Sequence, residues 1–334
     1  MFATGQFASE TWLRSRSNGC QMLDTSVFKK LAHNDTGQAT GHQGGIVIPK
    51  AISQFFPPLP AVTATAGPTV DSILSADLFV DGQRVGTVKT RYQHQTWCGT
   101  RSPERRLTDN LGPLRNEASE DDILLFTKDL DDDGYIQLHL IRKGTPDYVT
   151  LNAKIGTSRW GPVDPANPPV TITQISEAEN YVDEEAAEPP FAFDEDRETT
   201  ETTTVRKARD RAFRRKVLEQ YDYRCALTGR KFISPIGNMV LGLDAAHVIP
   251  VSEKGSDHPA NGLALTKDLH WSFDRGLIGV APDRTILVPA SVQALPGNEF
   301  LRDLHGHPIR EPNDPNLRLM DEALQWHRQN RLVE

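Results

Sequence analysis

Residues 244–276 hold the chain's densest set of groups able to do chemistry. Asp244-Ala-Ala-His247-Val-Ile-Pro250 is followed by Asn261-Gly-Leu-Ala-Leu and then by His270-Trp-Ser-Phe-Asp274-Arg-Gly. A neutral imidazole such as that of His247 can take a proton from water, and one divalent ion can stabilise a departing oxygen. His270 and Asp274 stand at i and i+4, so on a helix they share one face and can ligate one ion. Each residue also has a plain structural use. His247 in an apolar strand can be a satisfied core histidine, Asn261-Gly262 is a good turn, and His270 with Asp274 can be a helix-surface pair. The combination is what separates the two readings. A strand histidine is followed fourteen residues later by a loop asparagine, and nine further on by a histidine that opens a helix.

From about residue 213 to the C-terminus, this order and spacing resemble the HNH (ββα-metal) nucleases. The flanking residues match a bacterial branch of that family as well: Cys225-Ala-Leu-Thr-Gly229, the Ala-Ala-His247 strand, and Leu-His270-x-x-Phe-Asp274. The resemblance implies phosphodiester hydrolysis with His247 as general base and the Asn261 amide or backbone holding its ring. It implies one divalent ion on His270 and Asp274, with Mg²⁺ expected first and Mn²⁺, Co²⁺, Ni²⁺ or Zn²⁺ open to the same mixed donors. Many relatives carry a metal ligand directly before the base, where this chain has Ala246. Asp244 is the remaining expected ligand; it shares that strand face but lies about 6–7 Å further along. Relatives with a structural zinc use two CxxC pairs. Here Thr228 replaces the second cysteine of the first pair, so no structural zinc is expected and Cys225 reads as a buried apolar residue.

The front of the chain reads mostly as short strands, at residues 45–48, 72–80, 84–92, 123–126 and 135–141. Asp81-Gly82 marks a hairpin turn, and Ile136, Leu138 and Leu140 alternate with Gln137 and His139 as in a half-buried strand. Such a series suggests a small barrel or sandwich. The run Leu31-Ala-His-Asn34-Asp35-Thr36-Gly37 through His42-Gln43 to Pro49, with Gly99-Thr100-Arg101-Ser-Pro-Glu104-Arg105-Arg106, resembles the N-terminal domain of EcoRII-type restriction endonucleases. That domain is a pseudobarrel related to the plant B3 DNA-binding domain, and the resemblance covers about residues 28–144. It implies two loop arms gripping the major groove of double-stranded DNA. The matching positions are Asp35, His42 and Gln43 in the first arm, and Arg101, Glu104, Arg105 and Arg106 in the second, with Arg91 on the strand before it. Arginine suits guanine edges and phosphates, glutamine and histidine suit base edges, and glutamate suits the cytosine amino group. Residues 84–115 carry seven bases against two acids, a net +5 that suits a phosphate footprint.

Composition sets the frame. The chain has 334 residues, 37% hydrophobic and 25% charged, as a foldable chain of about two domains should. Its net charge of −8 is segregated: residues 176–203 hold eleven acids and one base, so everything else sums to +2. An acidic total therefore does not exclude nucleic acid as a partner. No run is long and apolar enough for a membrane helix or a signal peptide, so no membrane association is expected. Three scattered cysteines fit a reducing, cytoplasmic setting. Self-repulsion and the prolines at 162, 165, 168, 169, 189 and 190 mark the acidic stretch as a linker. The expected organisation is an N-terminal extension (1–25), a B3-like recognition domain (26–160), a Pro-rich and acidic linker (161–204) and an HNH domain (205–334).

The back half opens with an expected helix whose apolar stripe is Phe213, Val217, Leu218 and Tyr221. Its first dozen positions carry seven bases, usually a solvated face. Asp129-Leu-Asp131-Asp-Asp133-Gly134 begins like a calcium loop, but Leu140 stands where a bidentate glutamate is required, so it reads as a hairpin turn. His327 falls on an expected amphipathic C-terminal helix, with a structural or phosphate-contacting role. The whole reads as an α+β chain: a mostly β, B3-like pseudobarrel, an acidic linker and a ββα-metal nuclease. The expected function is a sequence-specific, metal-dependent DNA endonuclease of restriction type, acting as a homodimer on DNA or by sequential nicks. The competing readings are a nicking or modification-dependent endonuclease, and a DNA-binding protein whose cutter has decayed.

Overall fold

The computed structural model describes residues 22–38, 44–62, 68–97, 101–194, 202–233 and 240–333. The architecture is mixed α+β and divides into two compact units, Met1–Thr173 and Gln174–Glu334. No helix among the described residues is long and apolar enough to cross a membrane.

The first unit is a curled half-barrel of eight strands: β1 (Val27–Lys30), β2 (Ile46–Ile48), β3 (Thr69–Val80), β4 (Gln83–Gln95), β5 (Glu104–Leu107), β6 (Ile123–Lys128), β7 (Tyr135–Ile141) and β8 (Trp160–Pro162). Their order is β2-β5-β4-β3-β7-β6-β1-β8, and all neighbours are antiparallel except β3 and β7. The longest pairing, β3 with β4, turns at Asp81 and Gly82, whose φ angles are 46° and 80°. Two successive left-handed residues suit the twist of a tight hairpin, and Gly82 adopts its angle without steric cost. A short α1 (Gly112–Arg115) buries Leu114 in the main core, while α2 (Pro146–Ile155) buries Leu151 and Ile155 in a second cluster with Phe28, Ile123 and Leu125.

Apolar packing on both faces explains one departure from the sequence reading. All seven residues of β7 are buried, including Gln137 and His139. Their polar atoms answer one another at 3.1 Å, and the His139 ring stacks on Phe79 with centroids 4.2 Å apart. Burial pushes the His139 imidazole down to about 4, so it sits there neutral. The Asp129–Gly134 segment joins β6 and β7 as the expected hairpin turn.

The second unit begins earlier than composition suggests. Residues 161–204, expected as linker, contain α3 (Ile172–Ala187), whose Ile175, Ala178 and Val182 are buried. The physical reason is the next helix, α4 (Thr203–Gln220). Glu179 pairs with Arg211 at 2.5 Å and Arg215 at 2.8 Å, and Asp183 pairs with Lys216 at 2.5 Å. The basic run supplies the counter-charges that a self-repelling acidic stretch would otherwise lack. That run is likewise not a solvated face throughout, since Arg211 is 4% exposed. The expected apolar stripe, Phe213, Val217, Leu218 and Tyr221, is fully in the core.

The short pair β9 (Phe232–Ile233) and β10 (Val240–Leu241) precedes the central hairpin of β11 (Leu243–His247) and β12 (Gly262–Thr266). Helix α5 (Lys267–Asp274) follows β12 without a break. A second small hairpin, β13 (Gly279–Val280) with β14 (Ile286–Leu287), leads into α6 (Ala290–Gln293), α7 (Glu299–Leu304) and α8 (Asp321–Asn330). Gly262 lets α4 reach the hairpin. A Cβ there would meet Val217 Cγ2 at 2.3 Å and Phe213 Cζ at 2.8 Å. Cys225 is fully buried within the same core.

Candidate active site and nucleic-acid interface

Strand register decides which groups meet. Asp244 and His247 lie on β11, at its second and last positions, and His247 stands opposite Gly262 on β12. Ala246 is fully buried in the core. Helix α5 brings His270 beside Asp244, with Nδ1 to Oδ2 at 3.2 Å. One turn later, Asp274 Oδ2 stands 3.5 Å from His270 Nε2. The three expected ligands are therefore brought together in a row, one acid at each nitrogen of the ring.

The electrostatics of this row are mutual. Burial alone would lower the His270 imidazole, but the Asp244 hydrogen bond and the charges of Asp244 and Asp274 outweigh it and hold it above its ordinary value. Burial would raise the Asp244 carboxyl, yet His270 and Arg214 hold it below the usual range. Arg214, unremarked in the sequence except as one of a basic run, donates from Nε to Asp244 Oδ1 at 3.1 Å and from Nη2 to the Leu243 carbonyl at 2.7 Å. Two carboxylates and an imidazole are a suitable donor set for a hard or borderline divalent ion. Among the described residues, no three His, Cys, Asp or Glu side chains already converge as a metal cage.

His247 and Asp274 line one cavity of about 240 Å³, together with Val248, Pro250, Phe273, His327 and Arg331. It joins the expected base to an expected ligand. Arg331 is a cation that motif reading did not reach; its nearest acid, Glu253, is 3.9 Å away. His327 is structural: its ring stacks on Phe273, Nε2 meets the Phe273 carbonyl at 3.1 Å, and burial pushes it down to about 4.

Asn261 takes a different place from the one expected. Its Oδ1 accepts from Ile249 N at 2.9 Å, and its Nδ2 donates to the carbonyls of Ile249 (3.0 Å) and Ser256 (2.9 Å). It is fully buried, with both amide ends spent on the loop between β11 and β12. It braces that loop and does not hold the His247 ring. The ring's partner is Asp257, which sequence reading passed over inside a Gly/Asp/Pro-rich loop; His247 Nε2 lies 3.1 Å from its Oδ1.

A family model described as HNH endonuclease matches residues 225–281. The chain carries an HNH endonuclease domain. That match spans β11, β12 and α5 and so contains His247, Asp257, Asn261, His270 and Asp274. HNH nucleases are hydrolases of DNA that generally use a divalent metal. Among solved structures, the chain is similar to a modification-dependent TagI restriction endonuclease at 19% identity and a TM-score of 0.29, over 36% of this chain. It spans 38% of that protein's length. It is also similar to the B3 domain of the UbaLAI restriction endonuclease, solved with cognate DNA, at 21% identity and a TM-score of 0.31, over 45% of this chain and 87% of that one. No curated protein matches the sequence.

The expected DNA contacts outside the HNH domain divide three ways. His42 and Gln43 lie outside the described residues. Asp35 is not a contact: it is 1% exposed, accepts from Ala32 N and Val47 N, and pairs with the buried Lys29 at 2.7 Å. A carboxylate enclosed by three donors cannot reach a base edge. Asp35→Ala is expected to leave the Lys29 ammonium buried without its partner and to cost the first unit about 3–5 kcal/mol, read as a lower unfolding midpoint. A wild-type midpoint with weakened DNA binding would restore it to the interface.

In the second arm Arg101 is exposed, Glu104 and Arg105 are half-buried, and Arg106 keeps only 12% of its side chain exposed. A groove of about 920 Å³ is lined by Lys50, His94, Trp97, Arg101, Glu104 and Arg105, among others. Arg101 is exposed, with its guanidinium over the Trp97 ring at 5.2 Å. Arg106 forks onto Glu104 through Nε at 2.9 Å and Nη2 at 3.2 Å. Arg91 lies between Asp71 at 3.6 Å and Asp109 at 3.7 Å. These residues form a basic edge around β4 and β5, with acids interspersed.

Proposed function

We propose that the chain is a sequence-specific, divalent-metal-dependent DNA endonuclease of restriction type, reading DNA with its first unit and cutting with its HNH domain. The observation that carries this reading is the cavity that joins His247 to Asp274, next to the Asp244–His270 contact. A base and a metal-ligating edge beside one cavity are what attack on a phosphodiester requires.

His247 takes the proton of the attacking water. Asp244, His270 and Asp274 would hold the ion, which supplies Lewis-acid stabilisation of the departing 3′ oxygen, Mg²⁺ being the first expectation. Arg331 offers positive charge to the phosphate in the same cavity. The presence of His247, Asn261 and His270 together favours a working cutter over a decayed one.

The groove and the net +5 of residues 84–115 support DNA reading by the first unit. Arg105→Ala and Arg106→Ala test it by filter binding or anisotropy. A phosphate contact loses affinity for every sequence and flattens the salt dependence by roughly one unit; a base contact relaxes one position by about 1–3 kcal/mol. Wild-type binding in both variants would remove the second arm from the interface. A single HNH motif serves one strand per engagement, so a double-strand cut calls for two chains on a near-symmetric site or two sequential nicks. Sequencing the ends of digested plasmid, methylated and unmethylated, tests the reading as a whole. A recurring motif at a fixed distance from the ends is expected; ends scattered without a motif would contradict sequence specificity.

A further inference from the structure

We infer that Asp257 is the positioning residue of His247, and that Arg209, held by the acidic segment before α4, is its counter-ion. The inference rests on His247 being the general base and adds what fixes that base. The ring is held from two sides. Phe213 of α4 stacks on its face, with centroids 3.7 Å apart and planes 10° apart, and Asp257 meets its Nε2 edge at 3.1 Å.

Asp257 is 1% exposed at its side chain. A carboxylate so buried needs a charged partner. Arg209 Nε lies 3.0 Å from its other oxygen. Arg209 is fixed in turn, with its guanidinium over Tyr181 at 4.5 Å and Asp194 at 3.9 Å. The loop that carries Asp257 is tied to the same acidic segment. Asp194 N donates to the Lys254 carbonyl at 2.9 Å, Ser256 N to that of Ala192 at 3.1 Å, and Ser256 Oγ to that of Phe191 at 2.6 Å. Asn261 closes the loop from its other end, at Ser256 and Ile249.

The consequence is a choice of tautomer. An ionised carboxylate only accepts, so it places the imidazole hydrogen on Nε2 and leaves the lone pair on Nδ1. Nδ1 is then the nitrogen that receives the proton from water. A base oriented by a third group follows the general logic of activated catalytic pairs. An amide at 257 would not enforce this, because it can present either an acceptor or a donor to Nε2.

The test uses the full chain. Asp257→Asn is expected to slow single-turnover plasmid cleavage on the order of 100-fold. The dissociation constant for DNA without metal should stay within about twofold, because the residue acts on the chemical step. A folded Asp257→Asn protein that cuts within about threefold of the wild-type rate would overturn the inference. Should that variant fail to fold, ¹⁵N spectra of the wild-type histidines decide: a neutral His247 with its hydrogen on Nε2 supports the inference, and one with its hydrogen on Nδ1 overturns it. A fully active His247→Ala protein would instead sink the underlying assignment of the base.

Discussion

Replacing His247 with alanine should abolish DNA cleavage while leaving DNA binding nearly unchanged. The base is needed only while water attacks, so its loss falls on the chemical step, with an expected drop of at least 10²–10⁴-fold. The residue sits at the end of β11 with 17% of its side chain exposed, between Phe213 and Asp257. Removing the ring takes away a stacking contact as well, so the unfolding midpoint should be measured beside the rate. Cleavage within about tenfold of wild type would rule out the assigned role.

The second large effect should come from the row proposed to hold the metal. Chelation with EDTA is expected to stop cleavage, and His270→Ala is expected to weaken it by about 100-fold or more at a fixed metal concentration. His270 stands between Asp244 and Asp274, so its removal both deletes a nitrogen donor and leaves two acids facing each other across the gap. Raising the Mg²⁺ or Mn²⁺ concentration should recover part of the loss, because the two carboxylates remain. Titration of metal against cleavage rate separates this from a folding defect: a shifted midpoint is the signature of a lost ligand. An unshifted midpoint with a wild-type rate would remove His270 from the metal site.

The HNH hairpin and helix were legible because their chemistry is local in sequence. Three short blocks carry the proposed base, the loop brace and the proposed ligands, and their strand or helix setting follows from the apolar residues between them. What the motif could not show is which polar group meets which. Asn261 and Asp257 lie in the same loop, four residues apart, and only the fold assigns one to the backbone and the other to the ring. The acidic stretch folds where composition suggests a linker, because composition registers its self-repulsion but not that Arg211, Arg215 and Lys216 of α4 pair with Glu179 and Asp183. Asp35 illustrates the same blindness in the first unit, since its partner Lys29 turns a matched DNA-arm position into a buried brace. In β7, alternation suggested an exposed face, and a histidine stack with a side-chain hydrogen bond allowed both faces to be covered instead. Arg331 was beyond reach, as it lies fifty residues past the end of the family match and enters the cavity only through the fold of the C-terminal segment.

The most direct measurement is supercoiled-plasmid cleavage by the full chain, with wild type and His247→Ala assayed side by side in Mg²⁺, in Mn²⁺ and in EDTA. Nicked or linear product from wild type with a divalent ion, none in EDTA and none from the variant is the expected result. Equal product from the variant, or cleavage that persists in EDTA, would contradict a metal-dependent nuclease built on His247.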